Sequence, residues 1–140
     1  MKRGASAVWR GALKDGKGTM SSDSGAFRNL GYSFTTRFES TPGTNPEELI
    51  AAAEAGCFSM AFSGELGKAG ITPESIETKA TADFDKTDAG WAVKEVHLEV
   101  TAHVAGADAA KVRAAADAAK KGCPISRLLK AEITLSLRIA

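Results

Sequence analysis

One long apolar run dominates the chain, and its boundaries predict a helix over residues 44–70. Asn45 can cap the helix, Pro46 suits its first position, and Gly70 supplies a stop. Through the centre of this run the only charged residue is Glu54. A surface helix would show a single apolar stripe, so this helix is predicted to be central and buried on most sides.

Alternating apolar and polar positions predict strands in the rest of the chain. The alternation occurs in residues 32–38, 76–84, 91–104 and 133–139, and a further hairpin is predicted from residues 5–13 and 19–24 around the Gly-rich turn 14–18. Residues 25–31 form an irregular loop in this scheme. A second helix is predicted over residues 108–122, followed by a shorter helical turn over residues 123–129. The order predicts an α+β fold, with a mainly antiparallel sheet packed on the long central helix and the second helix.

Cys57 lies in the middle of the central helix. At 100° per residue it shares one face with small and apolar side chains, namely Ile50, Ala53, Met60, Ala61 and Gly64. This face is predicted to be a dry seam that another backbone could approach closely. Cys57 is therefore either a core residue or a nucleophile kept away from water.

Size and charge exclude several classes of function. The chain has 140 residues and a mass of 14.5 kDa, which predicts one domain over residues 1–140. Its net charge is only +1, so a nucleic-acid partner is not expected. No signal peptide is recognisable after the basic start, and no stretch of about 18 apolar residues predicts a membrane span. We expect a cytoplasmic protein without membrane contact.

The two cysteines, Cys57 and Cys123, differ in their predicted surroundings. A reducing compartment does not favour a structural disulfide, and buried free cysteines often act simply as small hydrophobic residues. Burial would raise the pKa of Cys57 unless a cation compensates for it. Cys123 precedes Pro124, where amides at a helix N-terminus would stabilise a thiolate; the alternative is an ordinary helix start.

Arg37 and Glu47 are candidates to activate Cys57. Arg37 is placed on the polar face of the strand predicted at residues 32–38, and Glu47 could hold its guanidinium in a fixed orientation. For either residue alone, a surface ion pair is the simpler interpretation. His97 and His103 are predicted about 20 Å apart on one strand, so no metal site is expected.

Several segments together resemble the osmotically inducible protein C (OsmC) family, which is related to the organic hydroperoxide resistance (Ohr) proteins. The similar segments are residues 32–39, 43–53, 55–61, 122–126 and 129–135, and the likeness extends to the hairpin at 17–19 and the turn at 85–90. Each cysteine lies within its own motif. The position of Arg37 just before the central helix favours the OsmC branch, because in the Ohr branch the arginine comes from the N-terminal region.

The resemblance implies a thiol-dependent peroxidase that acts on organic hydroperoxides and less well on hydrogen peroxide. It implies that Cys57 becomes a sulfenic acid, that Cys123 resolves it as a disulfide, and that Arg37 and Glu47 activate the thiol. An external dithiol, of the lipoyl type on a partner protein, would recycle the enzyme. No metal or bound cofactor is implied.

Helix geometry adds an expectation about assembly. Glu47 and Cys57 are ten residues apart on one helix, a rise of about 15 Å, so they cannot meet within one straight helix. A second chain could bring them together, which agrees with the intertwined homodimers of the family. We therefore expect a two-fold dimer with shared active sites.

Two alternatives to the peroxidase stay open from the residues alone. One is a redox sensor or a module that binds a lipid-like ligand, without turnover. The other is a structural domain with two unreactive thiols, although the joint presence of Arg37, Glu47, Cys57 and Cys123 argues against it.

Overall fold

The computed structural model describes all 140 residues, which group into two compact units, Met1–Leu49 and Ile50–Ala140. The expectation of one domain over residues 1–140 stays a prediction. The predicted α+β class is confirmed, since the protein contains four helices and six strands. The strands form two three-stranded sheets, whereas one sheet was expected. The longest helix begins in the first unit and continues into the second.

The first unit holds an antiparallel sheet in the order β1-β2-β3, formed by β1 (Ala5–Arg10), β2 (Lys17–Ser22) and β3 (Leu30–Ser33). The predicted hairpin is therefore correct, although β2 begins two residues earlier than expected. Gly18 lies under the Tyr32 ring, whose centroid is 5.4 Å from that of the Trp9 ring, with the two rings tilted by 48°. A Cβ atom on Gly18 would come within 2.3 Å of Tyr32, so this close approach requires glycine.

The strand predicted at residues 32–38 is confirmed only for Tyr32 and Ser33, which end β3. The rest of the prediction is wrong, because the chain turns into the short helix α1 (Phe34–Phe38) after Ser33. Ser33 and Thr36 form a capping box: the Thr36 amide donates to Ser33 Oγ at 3.3 Å, and the Ser33 amide donates to Thr36 Oγ1 at 3.0 Å. These local hydrogen bonds outweigh the alternating pattern. Arg37 therefore lies in the last turn of a helix.

Helix α2 (Pro46–Lys68) forms where the sequence predicted it. Asn45 caps it, since the Glu48 amide donates to Asn45 Oδ1 at 2.8 Å. Gly70 ends it with a φ of +75°, a conformation that glycine adopts without strain.

The second unit contains the hairpin of β4 (Ser75–Thr87) and β5 (Gly90–His103). Strand β6 (Glu132–Ile139) pairs with β5 in parallel, so this sheet is mixed. Helix α3 (Ala109–Gly122) begins at its predicted cap, Asp108, which accepts hydrogen bonds from two backbone amides. It is followed by α4 (Pro124–Leu128), the short helical turn that the sequence predicted.

The core of the second unit forms between α2, α3 and the inner face of the sheet. Its fully buried members include Phe58, Phe62, Leu66, Leu98 and Val112. The alternation predicted for β5 is confirmed, because every second residue from Val96 to Val104 is buried.

Helix α2 is less enclosed by its own chain than expected. Ala51, Glu54 and the core residues Phe58, Phe62 and Leu66 form its buried face. The opposite face, which carries Ala53, Gly56, Met60 and Gly64, is exposed. The predicted dry seam around Cys57 is therefore open on one side within a single chain.

By length and composition, α2 could also cross a membrane, whereas no membrane span was expected from the sequence. Core helices of soluble proteins pass the same test. Here Phe58, Phe62 and Leu66 pack into a protein core, and Glu54 is held by a hydrogen bond inside it.

Candidate active site

The two cysteines lie in contact within the second unit. Cys57 Sγ and Cys123 Sγ are 2.8 Å apart, and both thiols are free. Cys57 projects from the middle of α2, whereas Cys123 lies at the junction of α3 and α4. Its amide closes α3 by donating to the Ala119 carbonyl at 2.8 Å, and Pro124 then starts α4. The fold thus holds the two sulfurs where a disulfide can form with a small movement.

Within a single chain, the surroundings of Cys57 disfavour its thiolate. Burial is the largest cause that raises the pKa of Cys57, and the hydrogen bond between the two thiols raises it further. A hydrogen bond from the Ile125 backbone amide lowers this pKa, while the negative charge of Glu54 raises it. The net effect is a raised pKa, as the sequence analysis expected for a buried thiol without a compensating cation.

The helix start that was expected to support Cys123 supports Cys57 instead. Cys123 is fully buried and makes no side-chain capping hydrogen bond to α4. The amide of Ile125, in the first turn of α4, is the one that hydrogen-bonds to Cys57.

Glu54 also belongs to this site, although it was not among the site residues predicted from the sequence. Its side chain is 0% exposed, and its two oxygens face the α4 segment. Oε1 accepts a hydrogen bond from Ser126 Oγ, and Oε2 accepts one from Cys123 Sγ at 3.9 Å. Two sequence signals could have identified it: it is the lone charge in an apolar run, and it lies three residues before Cys57, on the same side of the helix.

Arg37 and Glu47 are brought together in the first unit. Arg37 Nε and Nη2 donate to the same oxygen, Glu47 Oε1, at 2.9 and 2.8 Å. The predicted orientation of the guanidinium by Glu47 is therefore present, although only one carboxylate oxygen takes part. Glu47 Oε2 is buried and has no hydrogen-bond partner.

The Arg37 side chain also lines an open pocket of about 250 Å³ in the first unit. The walls are mostly aromatic and aliphatic, formed by Trp9, Leu13, Tyr32, Phe34 and Phe38. A cation at the edge of an apolar pocket can bind a molecule that has one polar end and one apolar end.

The histidines occupy the cross-strand positions that the sequence predicted. His97 contacts Thr134 and Ser136 of β6, and His103 lies 3.3 Å from Glu77 of β4. No group of three or more His, Cys, Asp or Glu side chains is arranged to hold a metal ion.

Together, the α+β fold and the contact between two free thiols beside a buried carboxylate define a protein with a paired-cysteine site. Residues 38–138 match the family model of the OsmC-like proteins. The chain belongs to the OsmC family.

Relatives in the family support the OsmC branch. The chain is 51% identical over 133 residues to peroxiredoxin OsmC of Escherichia coli strain K12, covering 95% of this chain and 93% of the relative. It is 28% identical over 102 residues to the organic hydroperoxide resistance protein OhrB of Bacillus subtilis, covering 72% of this chain and 73% of that protein.

Solved structures show the same fold. An OsmC-like protein of unknown function from Vibrio cholerae superimposes with a TM-score of 0.78 at 18% identity, covering 98% of this chain and 99% of that one. The crystal structure of OhrB from Bacillus subtilis gives a TM-score of 0.68 at 22% identity, with 98% of each chain covered.

Proposed function

We propose that this protein is a cysteine-based peroxidase that reduces organic hydroperoxides to alcohols. The observation that carries the proposal is the pair of free thiols, 2.8 Å apart, with one partly exposed and the other buried. Relatives named as a peroxiredoxin and as an organic hydroperoxide resistance protein support a peroxidase role.

The proposed reaction uses the cysteines in sequence. The Cys57 thiolate attacks one oxygen of the hydroperoxide, the O–O bond breaks, and the alkoxide leaves as an alcohol after taking up a proton. Cys57 is then a sulfenic acid, which condenses with the Cys123 thiol to give a disulfide and water. An external dithiol, for which a lipoyl group is the proposed source, reduces the disulfide by exchange. This chemistry needs no metal or resident cofactor.

Arg37 is the proposed source of the missing positive charge at Cys57. An opposite charge close to a thiol lowers its pKa by about 1–3 units, which would offset the effect of burial. The aromatic pocket beside Arg37 would accept the organic tail of the substrate, since burial of apolar surface is favourable. This supports a preference for organic hydroperoxides over hydrogen peroxide.

We propose further that the site is completed in a two-fold homodimer, in which Arg37 and Glu47 of one subunit serve Cys57 of the other. The exposed face of α2 supports this assembly. Met60 is 80% exposed, and a Cβ atom at Gly56 or Gly64 would contact nothing in the same chain, so another helix could pack closely there. The buried, unpartnered Oε2 of Glu47 also fits a group supplied by a second subunit.

The test is hydroperoxide consumption by the purified protein, with dihydrolipoamide as reductant and cumene hydroperoxide compared with hydrogen peroxide. We expect repeated turnover, preference for cumene hydroperoxide, and loss of activity in Cys57→Ser. If the wild-type protein forms its disulfide once but is never recycled by a dithiol, the result would favour a redox sensor over an enzyme. A cytoplasmic location is part of the proposal, because free thiols persist in a reducing compartment.

A further inference from the structure

Glu54 is buried in the second unit without a cation. Its side chain has 0% exposure, and none of the ion pairs in the protein includes it. Burying a carboxylate costs free energy unless protein hydrogen bonds replace those that it makes to water. The hydrogen-bond partners of Glu54 therefore indicate its role.

Those partners come from one short segment. Ser126 Oγ–H donates to Oε1, and Cys123 Sγ–H donates to Oε2 at 3.9 Å. Cys123 and Ser126 are three residues apart at the start of α4, while Glu54 and Cys57 are three residues apart on α2. These four side chains therefore converge. The Glu54 carboxylate contacts the Cys123 thiol, and the Cys123 thiol contacts the Cys57 thiol.

A purely structural link between α2 and α4 does not explain this choice of residue. A glutamine could accept the Ser126 hydroxyl at the same position without bringing a charge. The charge of Glu54 raises the pKa of Cys57, which works against the first chemical step. What only a carboxylate can provide is a base beside the thiol of Cys123, which is fully buried and cut off from solvent hydroxide.

We propose that Glu54 is the proton acceptor for Cys123 when the two cysteines form their disulfide, an inference that rests on the proposed function. Glu54 Oε2 takes the Cys123 thiol proton, and the Cys123 sulfur attacks the sulfenic sulfur of Cys57. The S–S bond forms as the S–O bond breaks, and the leaving hydroxide takes the proton from Glu54 to become water. Glu54 returns to a carboxylate, and Ser126 keeps it oriented throughout.

The step can be isolated without any peroxide by using Ellman's reagent on the fully reduced protein. The partly exposed Cys57 attacks the reagent first and releases one thionitrobenzoate. Cys123 then attacks the mixed disulfide and releases the second. The two phases of thionitrobenzoate absorbance therefore report attack by Cys57 and attack by Cys123 separately.

We expect Glu54→Gln to slow the second phase by about 10²-fold at neutral pH, with the first phase unchanged or faster. Glu54→Asp, which keeps a carboxylate, should recover part of the rate. Glu65→Gln on the same helix, where Glu65 pairs with exposed Lys68 at 2.6 Å, is the matched control and should alter neither phase.

Ser126→Ala distinguishes a role of Glu54 as a base from a role as a structural link between α2 and α4. It removes the hydrogen bond to Oε1 but keeps the carboxylate, so it should slow the second phase much less than Glu54→Gln does. Equal effects of the two variants on the second phase would overturn the proposal. If Glu54→Gln does not fold, Glu54→Asp decides: a second phase that is slowed more than in Ser126→Ala supports the base, and an unaltered one overturns it.

The two proposals fail in different assays. Normal peroxide turnover combined with an unaltered second phase in Glu54→Gln removes only the role of Glu54. Absence of peroxide turnover combined with a second phase that is slowed in Glu54→Gln but not in Glu65→Gln removes only the peroxidase and leaves Glu54 as the base for disulfide formation.

Discussion

Two nitrogens of Arg37 donate to a single oxygen of Glu47, at 2.9 and 2.8 Å, and the other oxygen of Glu47 is buried without a partner. The Arg37 side chain is 38% exposed and the Glu47 side chain only 10%. The carboxylate thus fixes the guanidinium from its buried side and leaves part of Arg37 at the surface. A guanidinium held in this way is pre-oriented for an anionic group, such as a thiolate or a peroxide oxygen.

The first prediction concerns the ionisation of Cys57. In Arg37→Met, burial and Glu54 act without a compensating cation, so the pKa of Cys57 should lie above the ordinary thiol value of about 8.5. In the wild type, Arg37 of a second subunit should lower it by about 1–3 units. Because only the thiolate is alkylated, the pH midpoint of iodoacetamide reaction at Cys57 measures this difference.

The direction of the expected change in alkylation rate follows from the protonation equilibrium of Cys57. A higher pKa means less thiolate at any given pH, so Arg37→Met should react more slowly at neutral pH and converge with the wild type in alkaline solution. Arg10→Met, at an exposed position of β1, is the control and should leave the midpoint unchanged. Identical midpoints in the wild type and Arg37→Met would remove Arg37 from the site.

The second prediction separates the roles of the cysteines. Cys123→Ser removes the thiol that lies 2.8 Å from Cys57, so the sulfenic acid has nothing to condense with. After one equivalent of cumene hydroperoxide, dimedone should label Cys57 in this variant, and mass spectrometry should locate the adduct. The wild type should show a Cys57–Cys123 disulfide and little label. Labelling of Cys123 in Cys57→Ser at a similar rate would reverse the assignment.

Much of the fold follows from local patterns in the sequence. The caps Asn45 and Asp108 and the stop at Gly70 determine where the two long helices lie, and each was predicted from its residue type and position. The alternation in β5 was equally informative because one face of the sheet is buried against helices. Such signals act within a few residues, so they can be recognised without a structure.

The errors arose where two local signals competed or where a partner was distant in the sequence. Residues 32–38 alternate like a strand, yet the capping box of Ser33 and Thr36 starts a helix there. The parallel pairing of β6 with β5 depends on the path of the chain through α3 and α4, which no local pattern specifies. Glu54 was overlooked for the same reason, since its partners Cys123 and Ser126 are about 70 residues away.

The third prediction tests the core beneath the site. Phe62 is fully buried, and its ring lies 5.7 Å from that of Phe58. Phe62→Ala removes a large apolar side chain and leaves a cavity, so the free energy of unfolding should fall by about 3–5 kcal/mol. Urea denaturation at a fixed protein concentration measures it. Leu128→Ala, at a residue that is 74% exposed, is the control and should change stability by less than about 0.5 kcal/mol. Equal losses in the two variants would contradict this description of the core.

The fourth prediction concerns the exposed face of α2. Met60→Arg places a charge and a long side chain among Ala53, Gly56 and Gly64, where a second helix is proposed to pack, so the dimer should dissociate. Sedimentation equilibrium measures the mass of the assembly. Thr81→Arg, on the exposed face of β4, should leave the dimer intact. A wild-type protein that is monomeric at micromolar concentration would refute the shared site directly.

The last prediction tests whether subunits share a site. Arg37→Met and Cys57→Ser should each be nearly inactive alone. A mixed dimer would contain one complete site, formed by Cys57 of the first variant and Arg37 of the second. Random pairing makes about half of the dimers mixed, and each mixed dimer has one working site out of two. Co-expression should therefore restore about a quarter of the wild-type activity.

Cys57→Ser co-expressed with Cys123→Ser is the matched control. The two thiols meet within one chain, so no mixed dimer of this pair contains a complete dithiol and disulfide-dependent turnover should stay absent. Activity in the control but not in the first mixture would mean that the thiols, and not Arg37, are supplied across the interface.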